Sequence, residues 1–379
     1  MKMDPIRVLQ VFARLDTGGA ESMIMSVYRN IDRNRVQFDF VVNENDTKYI
    51  YEHEINELGG KVFRMPKYTI INNREYGCLW EILLKKHSEW KIIHGHHTAP
   101  AFIYLRIGKA LNRITIAHSH TAGGELRPKS KIKILMRYPL RHLSDHRFAC
   151  SDSAARWMFG KRNTSTHILN NAIDPDKFAF KDVIRRDVRQ YFGVENNFVI
   201  GHVGRFQPEK NHDFIIRVFK TIHDKNDKAF LFLVGDGDLC SSIKKKVKTL
   251  GLSGNVLFAG IRSDVPDLLQ AMDIFLFPSN YEGLGIVAVE AQAAGLKTIV
   301  SEAVPQEAYV TDLIERESLN APTEKWADRI LKYTDGYNRI DTSEQIKARG
   351  YDIKEVAKWL EKFYIKKHEE SFSTKQNKF

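Results

Sequence analysis

The sequence predicts an α/β protein with two domains, each built on a parallel β-sheet. Short apolar runs alternate with segments of helical periodicity along both halves of the chain, as expected for strands connected by helices. With 379 residues, the chain is long enough to bury two cores of ordinary domain size. Glycine-containing turns follow several apolar runs, at the edge where open parallel sheets bind their ligands.

The apolar runs assign strands to two sheets. The first sheet is predicted to contain residues 6–12, 37–42, 61–65, 90–94, 114–118 and 146–150. The second is predicted to contain residues 198–204, 229–235, 255–259, 273–277 and 297–301. Another strand-like run, Thr166 to Leu169, comes shortly before Pro175, and a proline after such a run indicates a domain boundary.

This boundary divides the chain into an amino-terminal domain, a carboxyl-terminal domain and a final segment. The final segment is expected to begin with a helix over Asp352 to Tyr364 that returns to the first domain, and to end in a disordered tail from Lys366. The three parts are assigned to residues 1–172, 173–350 and 351–379.

Residues 278–295 have the composition of a ligand-binding turn between a strand and a helix. Gly283 and Gly285 remove side chains at the turn, so backbone N–H groups at a helix start can approach an anion. Glu282 and Glu290 flank the turn, and a carboxylate can accept hydrogen bonds from two hydroxyls of a diol. Together these features favour a sugar nucleotide. The alternative is that Glu282 only complements the helix dipole and that Glu290 is solvated.

A second strand-to-helix loop carries basic residues. Arg205 and Lys210 follow the strand at 198–204, where an arginine fork and a lysine could hold a diphosphate. Glu209 lies beside Lys210, so an ordinary surface ion pair is the alternative explanation for these charges.

These loops resemble those of glycosyltransferase family 4, whose members have the GT-B fold of two Rossmann-like domains facing a central cleft. The order and spacing of the motifs agree, from the first strand and glycine loop to the two-glutamate block. The matching motifs are Thr17–Glu21, Gly204–Asn211, Val234–Gly237, Phe277–Ser279 and Glu282 with Glu290. The subgroup that the chain most resembles builds bacterial capsular polysaccharide and exopolysaccharide.

The resemblance implies roles for the residues of the two-glutamate block. Glu290 matches the residue that binds the nucleotide ribose, and Glu282 matches one that holds the donor sugar. The backbone of Gly283, Leu284 and Gly285 also matches the donor-sugar site.

Other loops complete the implied donor site. Arg205 and Lys210 match the diphosphate ligands, and Gly19 matches a glycine that lets the first domain close over phosphate and acceptor. Gly260 and Ile261, in the segment 260–263, match the loop whose backbone reads the base, usually uracil.

Two histidine clusters follow predicted strands of the first domain. The clusters are His94, His96 and His97, and His118 with His120. The resemblance implies that His120, with His118 as the competing assignment, contacts the donor sugar or stabilises charge at the reacting centre. Imidazoles two residues apart can also chelate zinc, but no Asp-x-Asp pair or carboxylate triad accompanies them, so we assign no metal. For His94, His96 and His97 a structural role is expected.

The net charge of +11 calls for an explanation. Residues 127–147 hold seven Lys or Arg against one acid, with apolar residues between them, so this segment could lie on an anionic membrane. A solvated helix packed on its own domain is an equally good explanation. Nucleic acid is not expected as a partner, because the sequence has no zinc-finger, RNA-binding or basic-aromatic pattern.

The sequence also predicts a compartment. No apolar run is long enough to span a membrane, and the amino terminus does not resemble a signal peptide. Three cysteines without paired spacing are expected to be reduced. We therefore expect a cytoplasmic protein, with the inner face of the cell membrane as a further location.

Together, the residues and the resemblance predict a retaining, metal-independent hexosyltransferase. Its co-substrate would be a nucleoside diphosphate sugar, with UDP as the expected nucleotide, and no other cofactor is expected. The acceptor would be a glycan or a lipid-linked glycan. The alternatives are a sugar-nucleotide epimerase or hydrolase of the same fold, or a nucleotide-sugar-binding protein without activity.

Overall fold

The computed structural model describes residues 4–15, 18–43, 48–96, 100–121, 136–160 and 165–376, with side chains to residue 371. The chain divides into two compact units. The first contains residues 1–173 and 352–379, and the second contains residues 174–351.

The first unit is built on a seven-stranded parallel sheet with the order β3-β2-β1-β4-β5-β6-β7. Strand β1 lies between β2 and the central strand β4, and its register pairs Gln10 with His94 of β4. The strands are β1 Ile6–Phe12, β2 Val36–Val42, β3 Val62–Arg64, β4 Ile92–Gly95, β5 Ile114–Ser119, β6 His146–Ala149 and β7 Thr166–Ile168.

The second unit is built on a six-stranded parallel sheet with the order β10-β9-β8-β11-β12-β13. Because β8 and β11 are neighbours, the loops after them meet at the same sheet edge. The strands are β8 Phe198–Val203, β9 Ala229–Val234, β10 Val256–Gly260, β11 Ile274–Phe277, β12 Lys297–Ser301 and β13 Ile314–Glu317.

Helices connect the strands in both units, as parallel sheets require. The first unit contains α1 Gly19–Asn30, α2 Glu52–Glu57, α3 Asn73–Lys86, α4 Ala101–Ala110, α5 Leu140–Leu143, α6 Asp152–Phe159 and α15 Ile353–Gln376. The second contains α7 Pro175–Phe178, α8 Asp182–Phe192, α9 His212–Lys225, α10 Cys240–Thr249, α11 Val265–Ala271, α12 Ile286–Ala293, α13 Thr323–Leu331 and α14 Ser343–Ala348. Short 3-10 helices are present at Pro208–Lys210 and Gln306–Ala308.

Every predicted strand is present, with ends that differ by one or two residues, and each sheet has one strand more than predicted. The additional edge strands are β7 in the first sheet and β13 in the second. The expected disordered tail is also corrected, because α15 continues to Gln376 instead of ending near Tyr364.

The carboxyl-terminal helix α15 is part of the first unit's core. Its side chains at Leu360 and Tyr364 are fully buried, among strands β1 and β2 and helix α1. The N–H of Ile353 donates to the carbonyl of Ile173 at 2.8 Å, which fixes the start of the helix. Burying a large apolar side chain contributes roughly 1.5 to 3 kcal/mol, so α15 is a structural element of this unit.

Two features bear on location. Within the described residues, no helix is long and apolar enough to cross a membrane. Among the described residues, Cys78, Cys150 and Cys240 form no disulfide bond.

Candidate functional site

The loops after β8 and β11 are joined to each other by hydrogen bonds. The backbone N–H of Asn280 donates to the carbonyl of Glu209, and its side-chain amide donates to the carbonyl of Pro208, both at 2.8 Å. Asn211 donates in the other direction, from Nδ2 to the carbonyl of Pro278 at 3.1 Å. Asn211 adopts a positive φ of 57°, an uncommon conformation for a residue with a side chain. The two predicted ligand loops therefore form one rigid edge.

Lys210 and Glu282 meet across this edge. The Nζ atom of Lys210 is 2.5 Å from Oε1 of Glu282, and it lies 4.9 Å from the ring centroid of Phe277. Arg205, by contrast, is exposed and makes no side-chain hydrogen bond or ion pair within the described part of the chain. Of the two residues predicted to bind phosphate, Lys210 is thus held by an ion pair, and Arg205 is available to an anion.

The glycine turn after β11 provides the amino-terminal start of α12. Gly285 caps the helix with φ of 82°, a left-handed conformation that favours glycine. A Cβ atom at this position would lie 3.0 Å from the Phe277 ring. The Leu284 side chain is buried, so it belongs to the core of the unit.

Glu290 lies on α12 and is largely withdrawn from water. Burial raises the pKa of its carboxyl group to about 7. No described residue donates a hydrogen bond to this carboxyl group. A ligand with hydroxyl groups would supply the missing donors, and a perturbed carboxyl at a sheet edge is typical of a functional site.

The loop after β9 packs directly against the loop after β8. A Cβ atom at Gly235 would lie 2.2 Å from the carbonyl oxygen of Gly204, so only glycine fits there. The N–H of Phe206 donates to the carbonyl of Asp236 at 3.0 Å, and the N–H of Gly235 donates to the carbonyl of Gly260 at 2.8 Å. These contacts bring the loops after β8, β9 and β10 together.

Gly260 and Ile261 therefore lie at the same edge as Arg205. Gly260 has φ of 70°, and the Ile261 side chain is 64% exposed. An exposed apolar side chain can pack against a flat heterocyclic base, so the base-binding role of this loop stays a prediction.

Two histidines beneath this edge were not singled out by the sequence. Nδ1 of His202 lies 2.9 Å from the carbonyl oxygen of Leu276, and the His212 ring stacks on Phe206 with centroids 3.9 Å apart. Burial holds the pKa of His202 well below its usual range and lowers that of His212 to about 4. The neutral His202 ring packs against Gly204. A Cβ atom at Gly204 would lie 2.9 Å from Nε2 of His202.

In the first unit, Gly19 begins helix α1. Gly18 precedes it as the cap residue, and no side chain caps the helix. A Cβ atom at Gly19 would meet nothing within 4 Å, so space is open there. Thr17, also part of the glycine-loop motif, lies outside the described residues.

The two histidine clusters come together at the carboxyl edge of the first sheet. The rings of His118 and His120 are 3.9 Å apart by centroid, and those of His94 and His96 are 4.3 Å apart. His97 lies outside the described residues. The structure therefore unites four of the five histidines that the sequence singled out.

Hydrogen bonds connect these rings to residues that the sequence did not identify. His94 Nδ1 is 2.6 Å from the Tyr364 hydroxyl, and His96 Nε2 is 2.8 Å from Oε1 of Gln10. The available signal was a polar Gln10 within the otherwise apolar run Val8–Phe12. No local pattern could have paired it with Tyr364, since 354 positions separate them.

Burial keeps the four histidines neutral. It holds the pKa of His94, His96 and His118 well below the usual range, and lowers that of His120 to about 3. Neighbouring imidazoles lower the pKa values of the first three further. At neutral pH, His120 therefore acts as a hydrogen-bonding group and carries no positive charge.

The same cluster has nitrogen atoms close enough to suggest a metal. One nitrogen atom from each of His94, His96 and His118 lies within 4.8 Å of the others. However, both ring nitrogens of His94 and of His96 already take part in hydrogen bonds. A metal ion would have to replace some of these bonds, so the donor set fits a hydrogen-bonded network better than a metal centre.

The described part of the basic segment packs partly on its own unit. Residues 127–135 lie outside the described residues. Leu140 is fully buried, and the Arg137 guanidinium lies 4.7 Å from the Trp157 ring centroid. Tyr138 remains 60% exposed, with Arg141 stacked on it at 3.6 Å. These two side chains therefore remain available at the surface.

Comparison with known proteins gives the class. Residues 17–177 match the family Glycosyltransferase Family 4, and residues 184–352 match Glycosyl transferases group 1. The Bacillus subtilis (strain 168) protein EpsF is 32% identical over 336 residues, covering 86% of this chain and 87% of EpsF. This fold and these matches define a glycosyltransferase of the GT-B type.

Two further relatives extend the comparison. An Escherichia coli UDP-Gal:alpha-D-GlcNAc-diphosphoundecaprenol alpha-1,3-galactosyltransferase is 31% identical over 210 residues, covering 49% of this chain and 54% of the relative. The crystal structure of Anabaena HepE in complex with UDP has a TM-score of 0.76 at 18% identity, and covers 96% of this chain and 100% of HepE. The chain belongs to glycosyltransferase family 4.

Proposed function

We propose that this glycosyltransferase moves a hexosyl unit from a UDP-sugar to a glycan or lipid-linked acceptor, without a metal ion and with retention of anomeric configuration. The reaction would serve the synthesis of cell-surface polysaccharide. The rigid edge of the second unit carries the proposal, because the loop of Arg205 and Lys210 is hydrogen-bonded there to the glycine turn that Glu282 and Glu290 flank in sequence.

Each part of that edge suits one part of the donor. Exposed Arg205 and the start of helix α12 favour the diphosphate. The unpartnered carboxyl of Glu290 suits the ribose diol, and Glu282 suits sugar hydroxyls. Cationic side chains and a helix start can offset the diphosphate charge, as a divalent cation would otherwise do.

The Lys210–Glu282 ion pair gives this donor site a way to assemble. A diphosphate would compete with Glu282 for the Lys210 ammonium group. When Lys210 turns to phosphate, Glu282 is released to accept hydrogen bonds from the sugar. Binding of the whole donor is therefore favoured over binding of either half.

The transfer step breaks the bond between the anomeric carbon and the diphosphate oxygen, and the electron pair stays on the diphosphate. Arg205 and Lys210 stabilise the charge that develops there. The acceptor oxygen forms its new bond on the face that the diphosphate leaves, and its proton passes to a departing phosphate oxygen. Configuration at the anomeric carbon is then retained.

A UDP-linked donor and a lipid-linked acceptor are supported by relatives. The E. coli relative is named for a UDP-Gal donor and a diphosphoundecaprenol acceptor, and the HepE structure contains UDP. We extend both to this chain as a proposal. Lipid-linked acceptors would place the enzyme at the inner face of the cell membrane, with residues 127–147 in contact with anionic headgroups.

A donor panel tests the proposal. Purified protein is mixed with UDP-, GDP- and ADP-sugars in the presence of EDTA, and both binding and nucleoside diphosphate release are followed. We expect selective binding of a UDP-sugar and slow release of UDP that survives chelation. Activity lost with EDTA would contradict the metal-independent reaction.

The same panel separates the alternatives. Donor binding without any release of UDP, even with glycan and lipid-linked acceptors, would indicate a binding protein. A changed sugar configuration on intact nucleotide would indicate an epimerase. Release of a free sugar whose rate no acceptor increases would indicate a hydrolase.

A further inference from the structure

Gln10 joins two chains of hydrogen bonds in the first unit. It lies on β1 and is fully buried. Its Oε1 is 2.8 Å from Nε2 of His96, and its Nε2 is 3.2 Å from the hydroxyl oxygen of Tyr364. One end of an amide only accepts hydrogen bonds and the other only donates them. Gln10 therefore accepts a hydrogen bond from His96 and donates one to Tyr364.

The first branch runs from Tyr364 through His94 to His118. The Gln10 amide donates to the Tyr364 oxygen, so Tyr364 gives its own proton to Nδ1 of His94 at 2.6 Å. A neutral His94 then carries its proton on Nε2 and donates it to Nδ1 of His118 at 3.2 Å. His118 holds its proton on Nε2, which has no hydrogen-bond partner among the described residues.

The second branch runs from His96 to His120, and here the hydrogen bonds are donated toward Gln10. His96 donates from Nε2 to the Gln10 oxygen, so its Nδ1 accepts a hydrogen bond from Nε2 of His120 at 2.8 Å. His120 is left with a lone pair on Nδ1, and no described residue donates to it. All four rings then carry the proton on Nε2.

We propose that Gln10 is a positioning residue that fixes the tautomers of His118 and His120, so that the pair presents one N–H donor beside one lone-pair acceptor. The two rings are adjacent, with centroids 3.9 Å apart. Their burial supports the neutral state that the tautomers require, because it lowers the pKa of both imidazoles.

The donor and acceptor together define a ligand chemistry. A hydroxyl group accepts one hydrogen bond while donating another, whereas a phosphate oxygen only accepts. If the proposed function holds, the hydroxyl comes from the transferred sugar or from the acceptor. Both nitrogen atoms are covered by the described structure, so a hydroxyl reaches them only after neighbouring atoms shift.

Replacing the amide by a carboxylate gives a branch-specific test. At a pH where its carboxyl group is ionised, the variant Gln10→Glu can only accept, so Tyr364 would donate to residue 10 and its oxygen would accept from Nδ1 of His94. The spectra of this variant are therefore recorded at increasing pH, up to the ionisation of this carboxyl group. His94 and His118 would then move to the Nδ1–H tautomer. His96 and His120 would keep the Nε2–H tautomer, because their acceptor at residue 10 remains an oxygen.

Long-range proton–nitrogen correlation spectra of protein labelled with 15N-histidine distinguish the two tautomers. His202 in the second unit is an internal control. Its Nδ1 lies 2.9 Å from the Leu276 carbonyl, so it should show Nδ1–H in every variant. If Gln10→Glu does not fold, Tyr364→Phe tests the first branch alone. It should give mixed tautomers at His94 and His118 while His96 and His120 stay unchanged.

The inference is supported if the wild-type protein shows four Nε2–H rings and the variants change only the first branch. It is overturned if His94 and His118 do not respond, if both branches change together, or if the purified protein holds one metal ion on these histidines. These spectra need no substrate, so their outcome is independent of the proposed reaction. In the reaction, Gln10→Glu should lower kcat about 10-fold or more with unchanged UDP affinity.

Discussion

Lys210 and Glu282 form an ion pair at the edge of the second sheet, with Nζ 2.5 Å from Oε1. The two residues come from different loops, 72 positions apart. In the proposed donor site each would leave the other for part of the donor, with Lys210 moving to phosphate and Glu282 to sugar. The pair therefore holds both side chains ready at the edge before the donor binds.

The variant Glu282→Gln should separate the two halves of the donor. Without the carboxylate, Lys210 is freed for phosphate, so UDP should bind as tightly as in the wild type or several-fold more tightly. Turnover of the UDP-sugar should fall about 10-fold or more, because a charged hydrogen bond to the sugar is lost. Calorimetry with UDP and a UDP-release assay measure the two effects.

A matched control comes from another ion pair of the same unit. Lys225 and Asp328 lie 2.6 Å apart at the surface. Asp328→Asn should change neither UDP affinity nor turnover. Weaker UDP binding in Glu282→Gln would contradict the exchange of partners.

Arg205 is expected to act in the reaction without stabilising the fold. It has no described side-chain partner, so Arg205→Met should leave the melting temperature within about 1 °C. Its turnover should fall about 100-fold, as charge on the leaving diphosphate loses a partner. Arg186→Met is the control, since Arg186 is also exposed and its one ion pair in the described part of the chain is with Asp182. A large loss of stability in Arg205→Met would indicate a structural residue.

Glu290 is expected to bind the nucleotide ribose. Glu290→Ala should weaken UDP binding by about 1 to 3 kcal/mol, because two hydroxyl hydrogen bonds lose their acceptor. The corresponding 2′,3′-dideoxy nucleotide should bind equally well to the wild type and the variant. Unchanged affinity for UDP in Glu290→Ala would refute this role.

The raised pKa of Glu290 predicts a pH dependence of donor binding. The ionised carboxylate accepts from the ribose, and burial places its pKa at about 7. Affinity for a UDP-sugar should therefore rise as pH increases through about 7, and the increase should be absent in Glu290→Gln. A UDP-sugar is the right ligand, because its diphosphate is esterified at both ends and does not titrate in this range. An equal rise in the variant would assign the effect to another group.

Stability should change with pH in the opposite direction. The pKa of Glu290 in the folded protein lies above its value in the unfolded chain. Its contribution to the free energy of unfolding is therefore fully present below about pH 4.5 and is lost as the pH rises through about 7. In the wild type, this effect should lower the free energy of unfolding by about 2 to 3 kcal/mol at pH 8 relative to pH 4.5. Glu290→Gln should not show this decrease. Urea unfolding of wild type and Glu290→Gln at both pH values measures the difference.

The sequence assigned only buried, apolar strands to the two sheets. It identified Thr166 to Leu169, which contains β7, as strand-like without assigning it to a sheet, and it missed β13. In β13, Glu315 and Glu317 both pair with Arg329, and His167 of β7 is exposed. Such strands have no continuous apolar run to reveal them. In the second unit, the two predicted ligand loops lie together because they follow the neighbouring strands β8 and β11. The histidine network was only half predicted, because Tyr364 reaches Gln10 and His94 from the far end of the chain.

The anomeric configuration of the first sugar released from a UDP-sugar tests the central claim most directly. The reaction is run with EDTA and with water as acceptor, and proton NMR follows the anomeric coupling before the sugar equilibrates. We predict that the first-formed sugar keeps the α configuration of the donor. A first-formed β sugar, or no release of UDP from any UDP-sugar, would contradict a retaining, metal-independent transferase.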